Sequence, residues 1–210
     1  MALALAATTA SAAQVDGIGI KVGVTSSHMH LGDAAYQSSG SATGLVVGPF
    51  ADVALSRSIA FQPALVFVRR GGTFRDLPSS LTGTLGEIQE LVLRRDYLEL
   101  PLLLRYNSSW SHAFSPSLIA GPAIGWVLAY KVEEDGRDLT QQFTENRLLP
   151  RKGGGFDFAL VLGVGITRVQ GGRKFTLDAV YRMASDGTRS EAVGSAFDAD
   201  GIDVTLGVRF

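Results

Sequence analysis

Few residues in this chain have the type and spacing to do chemistry. His28-x-His30 places two imidazoles on one side of an extended segment, a spacing that can grip a metal ion. They fall in the polar stretch "SHMHLGDAAYQSSGSA" with only Asp33 nearby, so a solvent-exposed loop is the expectation. His112 stands apart in a short break. No G-x-S-x-G, H-E-x-x-H or P-loop pattern occurs. "GIGIKVG" and "GVGI" mimic glycine-rich nucleotide fingerprints, but no helix pattern follows either, and "RKGGGFD" reads as a loop entering a strand. With no Cys, disulfides and thiolate sites are excluded. Neither a metal nor a cofactor is expected.

The other candidates are charged residues lodged inside apolar segments. Lys21, Asp52, Glu99, Arg105, Asp157, Asp178, Arg182, Asp203 and Arg209 alternate with Val, Ile, Leu and Phe along their segments. Alternation of that kind marks strands with one apolar face. The last ten residues, "GIDVTLGVRF", are typical: Ile202, Val204, Leu206, Val208 and Phe210 against Asp203, Thr205, Gly207 and Arg209.

Read in this way the chain yields eight strands. They begin at "GIGIKVGVTS", "TGLVVGPFADVAL", "IAFQPALVFVRR", "LVLRRDYLELPLLLRY", Ser117 to Tyr130, "FDFALVLGVGI", "FTLDAVYR" and the terminal segment. Connections after the odd strands are long: Ser27 to Ala42, Gly71 to Glu90, Val132 to Gly155 and Ala184 to Asp200. Those after the even strands are short, down to "QGGRK". An even strand number with alternating loop lengths predicts an all-β fold: an eight-stranded antiparallel up-and-down transmembrane β-barrel with short periplasmic turns and long extracellular loops.

A mean hydropathy of +0.19 with 19% charged residues suits such a wall, and a net charge of -1 offers no basic field for nucleic acid. The one charge-free stretch resembling a membrane helix, Ala113 to Tyr130, carries two prolines and two glycines, which disfavour a helix interior. "MALALAATTASAAQ" ends in the small residues of a signal-peptidase site, without a basic leader. Residues 1–13 are therefore expected to be a signal peptide and 14–210 the barrel.

Energetics sets the orientation. Arg or Lys facing lipid at midplane costs about 2–4 kcal/mol, so the nine charged residues are expected in the lumen. An eight-stranded barrel has room for little but side chains. The charges must then pair, and glycines 19, 23, 48, 163, 165 and 207 on the same faces make space for them. The expected product is a plugged barrel rather than an open pore. Aromatics fall in two bands: Phe61, Tyr106, Phe175 and Phe210 near one end, and Phe67, Trp126, Tyr130, Phe156 and Tyr181 near the other. The alternative is a soluble, lipocalin-like ligand-binding barrel, which needs the opposite parity. An outer-membrane enzyme would need a His or Ser constellation at the outer rim.

The stretches "GIGIKVGVTSS", "RRDYLELPLLLRY", "SPSLIAGPAIGW" and "GIDVTLGVRF" resemble the small outer-membrane β-barrel family called PorT-like, or outer membrane protein beta-barrel domain. Tyr97 to Pro101 is the most specific block. The resemblance implies residence in the outer membrane among its lipids, with no assigned activity. It also implies that Phe210 is the terminal aromatic read by the barrel-assembly machinery during insertion. Any extracellular partner would be met through the four long loops.

Overall fold

The computed structural model of the chain describes residues 14–31, 36–37, 40–77, 88–108, 114–134, 137–141, 156–184 and 197–210. The segment read as a signal peptide lies outside them.

The described chain forms a sheet closed on itself. Eight positions in the ring are filled by β1 (Gln14–Leu31), β3 (Gly40–Ala54), β4 (Ile59–Pro63) with β5 (Val66–Leu77), β6 (Ile88–Asn107), β7 (Phe114–Glu134), β9 (Phe156–Gln170), β10 (Arg173–Ala184) and β11 (Phe197–Arg209). Each strand pairs antiparallel with its sequence neighbours, and β1 pairs with both β3 and β11 to close the ring. Two-residue pieces, β2 (Tyr36–Gln37) and β8 (Arg137–Asp138), extend β1 and β7. Among the described residues, every member of the eight-position ring is paired on both sides, the condition for a sheet to sit in lipid.

Local sequence explains the turns. Gly171 and Gly172 both have positive φ, 60° and 76°, and join β9 to β10 as a two-residue hairpin that non-glycine residues resist. In β1, a register shift between Val15 and Gly17 leaves Asp16 as an extra residue.

The outer face is apolar. Ile18 is 64% exposed and Leu206 59%, while Lys21, on the opposite face of β1, is 7% exposed. On β9, exposed Phe156, Phe158, Leu160, Leu162, Val164 and Ile166 run along one face. They cover about 34 Å of strand, which at a tilt of 35–45° gives a band about 25 Å tall, the height a bilayer core requires. A soluble barrel would need these positions polar.

Several details differ from the sequence reading. Strands are longer than expected. Ser27 to Leu31, Gly40 to Ala42, Gly71 to Leu77, Ile88 to Glu90, Val132 to Glu134 and Phe197 to Asp200 were expected in loops but are strand. Backbone ladders continue past the bilayer, where the outward face no longer has to be apolar, and the pattern that marks a strand fades. His28 and His30 accordingly lie in β1, opposite Asp200 and Asp198 of β11, rather than in a loop. The third expected strand breaks into β4 and β5, with Ala64 making only a single bridge to Phe50. Tyr130, expected in the outer aromatic band, packs against the buried cluster of Val46, Phe50, Val68 and Tyr97. A bulge explains this: Asp96 pairs with Ala129 but Tyr97 pairs with Val127, so Leu128 is extra and parity inverts beyond it.

Candidate functional site

Alternation along each strand places Lys21, Asp52, Glu99, Arg105, Asp157, Asp178, Arg182, Asp203 and Arg209 on the inner face. They separate into two clusters stacked along the barrel axis.

The cluster toward the long-loop end is built on two arginines. The Arg182 guanidinium donates to Glu99 Oε2 (3.1 Å), Asp157 Oδ2 (3.0 Å) and the Ala199 carbonyl (2.7 Å). Arg70 forks onto Asp203 at 2.7 and 2.9 Å, donates to Thr25 Oγ1 at 2.9 Å and reaches Glu99 Oε2 at 3.5 Å. Glu99 thus joins the two arginines, and six strands (β1, β5, β6, β9, β10 and β11) are tied across the lumen. Arg70 and Arg182 are both essentially inaccessible to solvent. Above them, Arg95 donates to the Tyr97 hydroxyl (3.2 Å) and lies over the Tyr130 ring, its carbon 5.2 Å from the centroid.

The cluster toward the short-turn end centres on Arg105. It forks onto Asp178 at 2.8 and 3.0 Å and donates to Ser117 Oγ at 2.9 Å. Gln62 occupies the middle: its Oε1 accepts from Lys21 (3.1 Å), and its Nε2 donates to Asp52 (2.7 Å). The Lys21 ammonium also lies 5.1 Å from the centroid of the Phe50 ring. At the mouth, Asp52 meets Arg209 at 3.4 Å, and Arg209 and Lys174 both bind the bulge residue Asp16.

Glycine makes the lower fork possible. A Cβ on Gly165 would sit 2.9 Å from both Arg105 Nη2 and Ser117 Oγ and closer still to Asp178 Oδ1. That position must be empty for the ion pair to form.

Two voids flank the lower cluster. A small cavity of about 40 Å³ is lined by Lys21, Glu99, Asp178 and Asp203 among others, with room for a few water molecules. A vestibule of about 250 Å³ at the short-turn mouth is lined by Asp16, Asp52, Arg57, Arg105 and Lys174 with Ser, Thr and Asn side chains. The Arg105–Gln62–Lys21 layer lies between them.

Sequence reasoning missed Arg70, Gln62 and Arg95. The signal was present: Gln62 was placed on the inward face, and steps of two residues from it reach Arg70, as steps from Glu99 reach Arg95. Each arginine has another beside it, Arg69 and Arg94, so charge alone did not say which of the two turns inward. Phe210 lies at the seam, where its backbone N–H donates to the Ile18 carbonyl at 3.0 Å, and its side chain is exposed. Among the described residues, no group of three or more metal-ligating side chains converges.

No curated protein matches the sequence. Among solved structures, OprG from Pseudomonas aeruginosa is 13% identical over 93% of this chain and 97% of its own, with a TM-score of 0.48. Neisserial surface protein A is 14% identical over 94% and 99% (TM-score 0.45), and Ail of Yersinia pestis 14% identical over 92% and 99% (TM-score 0.43). Residues 12–184 match the family described as "Outer membrane protein beta-barrel domain". A closed antiparallel ring, an apolar outer band and this match together make the chain an integral outer-membrane protein, a member of the outer membrane protein beta-barrel domain family.

Proposed function

We propose that this protein is a closed, non-catalytic barrel whose lumen is plugged by its charge network and which acts at the cell surface through its long connections. The observation that carries the reading is Arg182, fully buried and bonded to Glu99, Asp157 and a backbone carbonyl from three different strands. Buried charges are retained at such depth only when paired, and paired charges crossing an eight-stranded lumen leave no route for a solute. The voids on either side are large enough for water but are separated by the Arg105–Gln62–Lys21 layer.

Two finer assignments belong to the same reading. The Tyr97 to Pro101 block supports a place on the PorT-like side of the family. Phe210, exposed at the seam where β1 meets β11, is assigned as the terminal signal for assembly. Removing its ring (Phe210→Ala) is expected to lower the yield of assembled barrel in the outer membrane without altering the stability of protein folded in micelles.

Liposome swelling tests the plug. Vesicles carrying the full chain should be no more permeable to arabinose than empty vesicles. Swelling at the rate of a general diffusion porin would refute it.

A further inference from the structure

The seam between β1 and β11 runs on past the apolar band of the wall. The outward residues of these strands are apolar up to Val24 on β1 and Ile202 on β11. Beyond that level the outward positions of β1 are Ser26, His28 and His30, and those of β11 are Asp200 and Asp198. The inward positions between them, Ser27, Met29 and Ala199, are completely buried, which fixes the parity. At about 3.4 Å per residue on strands tilted by 35–45°, His28 stands about 10 Å beyond Val24. That level is outside the hydrocarbon and open to ions from solution.

The expectation that the two histidines bind nothing rested on a loop with a single acid, Asp33, nearby. The register gives them a different setting. His28 pairs with Asp200 and His30 with Asp198, so two imidazoles and two carboxylates start from four adjoining positions of one face. Directly opposed residues have Cβ atoms about 4.5–5.5 Å apart and diagonal ones about 7–8 Å, spans that imidazole and carboxylate arms close when they meet on one ion. The backbone register, rather than a preformed cage, supplies this juxtaposition. A His-x-His pair on one strand, completed by carboxylates from the next, offers nitrogen and oxygen donors of the kind and number that tetrahedral zinc takes. His28 is exposed. The Asp200 carboxylate is oriented from behind: its Oδ1 accepts from the Ala184 N–H at 2.7 Å, the supporting bond that a ligating carboxylate receives. The two strands themselves bring no cation to these acids, since neither Val22 to Leu31 nor Phe197 to Val208 contains a Lys or Arg.

We propose that His28 and His30 of β1, with Asp198 and Asp200 of β11, bind a zinc ion at the outer end of the barrel seam. β1 and β11 are the one neighbouring pair in the ring that no hairpin or loop joins. Bound there, the ion fastens the ring at that junction, on the side that faces the cell exterior.

The full chain, folded in dodecyl maltoside micelles and stripped with EDTA, tests this. Titration with zinc chloride should show a single ion bound per chain together with a raised unfolding temperature. His28→Gln/His30→Gln should lose both effects. Asp198→Asn/Asp200→Asn should weaken binding by about tenfold or more. His112→Gln, which removes the third histidine, should keep both effects. Equal binding by wild type and the double histidine variant would overturn the site, as would equal loss in His112→Gln. The same temperature shift from magnesium chloride would assign the effect to carboxylates alone and overturn the histidine ligands. Should the double histidine variant fail to fold, His28→Gln alone, at an exposed position, carries the same comparison.

Discussion

The two clusters inside the barrel solve one problem differently. In the upper cluster each arginine is paired with carboxylates, Arg70 with Asp203 and Arg182 with Glu99 and Asp157, and both guanidinium groups are shielded from solvent. In the lower cluster the Lys21 ammonium has a neutral amide and an aromatic face as neighbours, and the layer borders water-sized space on both sides. A dry interior demands complete pairing, because an orphaned charge cannot recover its solvation. A wetter one tolerates an ammonium without a carboxylate beside it. In the plugged barrel we propose, the upper cluster is the rigid closure and the lower one the softer layer at the short-turn end.

That contrast can be broken most forcefully at Arg182. Arg182→Leu leaves buried Asp157 without its cation and Glu99 with only the 3.5 Å contact to Arg70, and should destabilise the barrel by about 3–5 kcal/mol, read as a lower unfolding midpoint in micelles. An unchanged midpoint would mean that the upper cluster is not the closure described. Gly165→Ala comes next. The added methyl drives apart the Arg105–Asp178 fork, and overpacking of this kind costs about 1–3 kcal/mol. Equilibrium urea unfolding in vesicles reads it, and no loss would show that the lower fork has room to shift. The smallest effect is expected at Lys21→Met, which removes a buried cation that has no carboxylate partner. A change within about 1 kcal/mol follows, because the desolvation of that charge disappears along with its one hydrogen bond. A loss as large as that of Arg182→Leu would erase the distinction between the clusters.

The wall of this barrel was far more legible in the sequence than its contents. Lipid forces apolar residues onto every second position, so Ile18 to Val24, Phe156 to Ile166 and Ile202 to Leu206 announce both strand and parity. Above the bilayer that constraint lapses, and β1, β5, β6 and β11 run on through polar residues that read as loop. Parity also failed at one point, Leu128, where a single extra residue turned Tyr130 inward. Inside the lumen, alternation shows which face a charge occupies but not its height, so the division into two clusters was not visible. Arg70 was hidden by its neighbour Arg69. Only the ring geometry, which sets β5 near β11 across the lumen, shows that Asp203 is its partner.

The most direct test of the closed lumen is single-channel recording in planar bilayers, comparing wild type with Arg105→Ala and the double variant Arg70→Ala/Arg182→Ala. Wild type should show no resolvable conductance, Arg105→Ala none because the upper cluster still closes the lumen, and the double variant small, steady openings. A wild-type channel with stable conductance, unchanged in the variants, would contradict it.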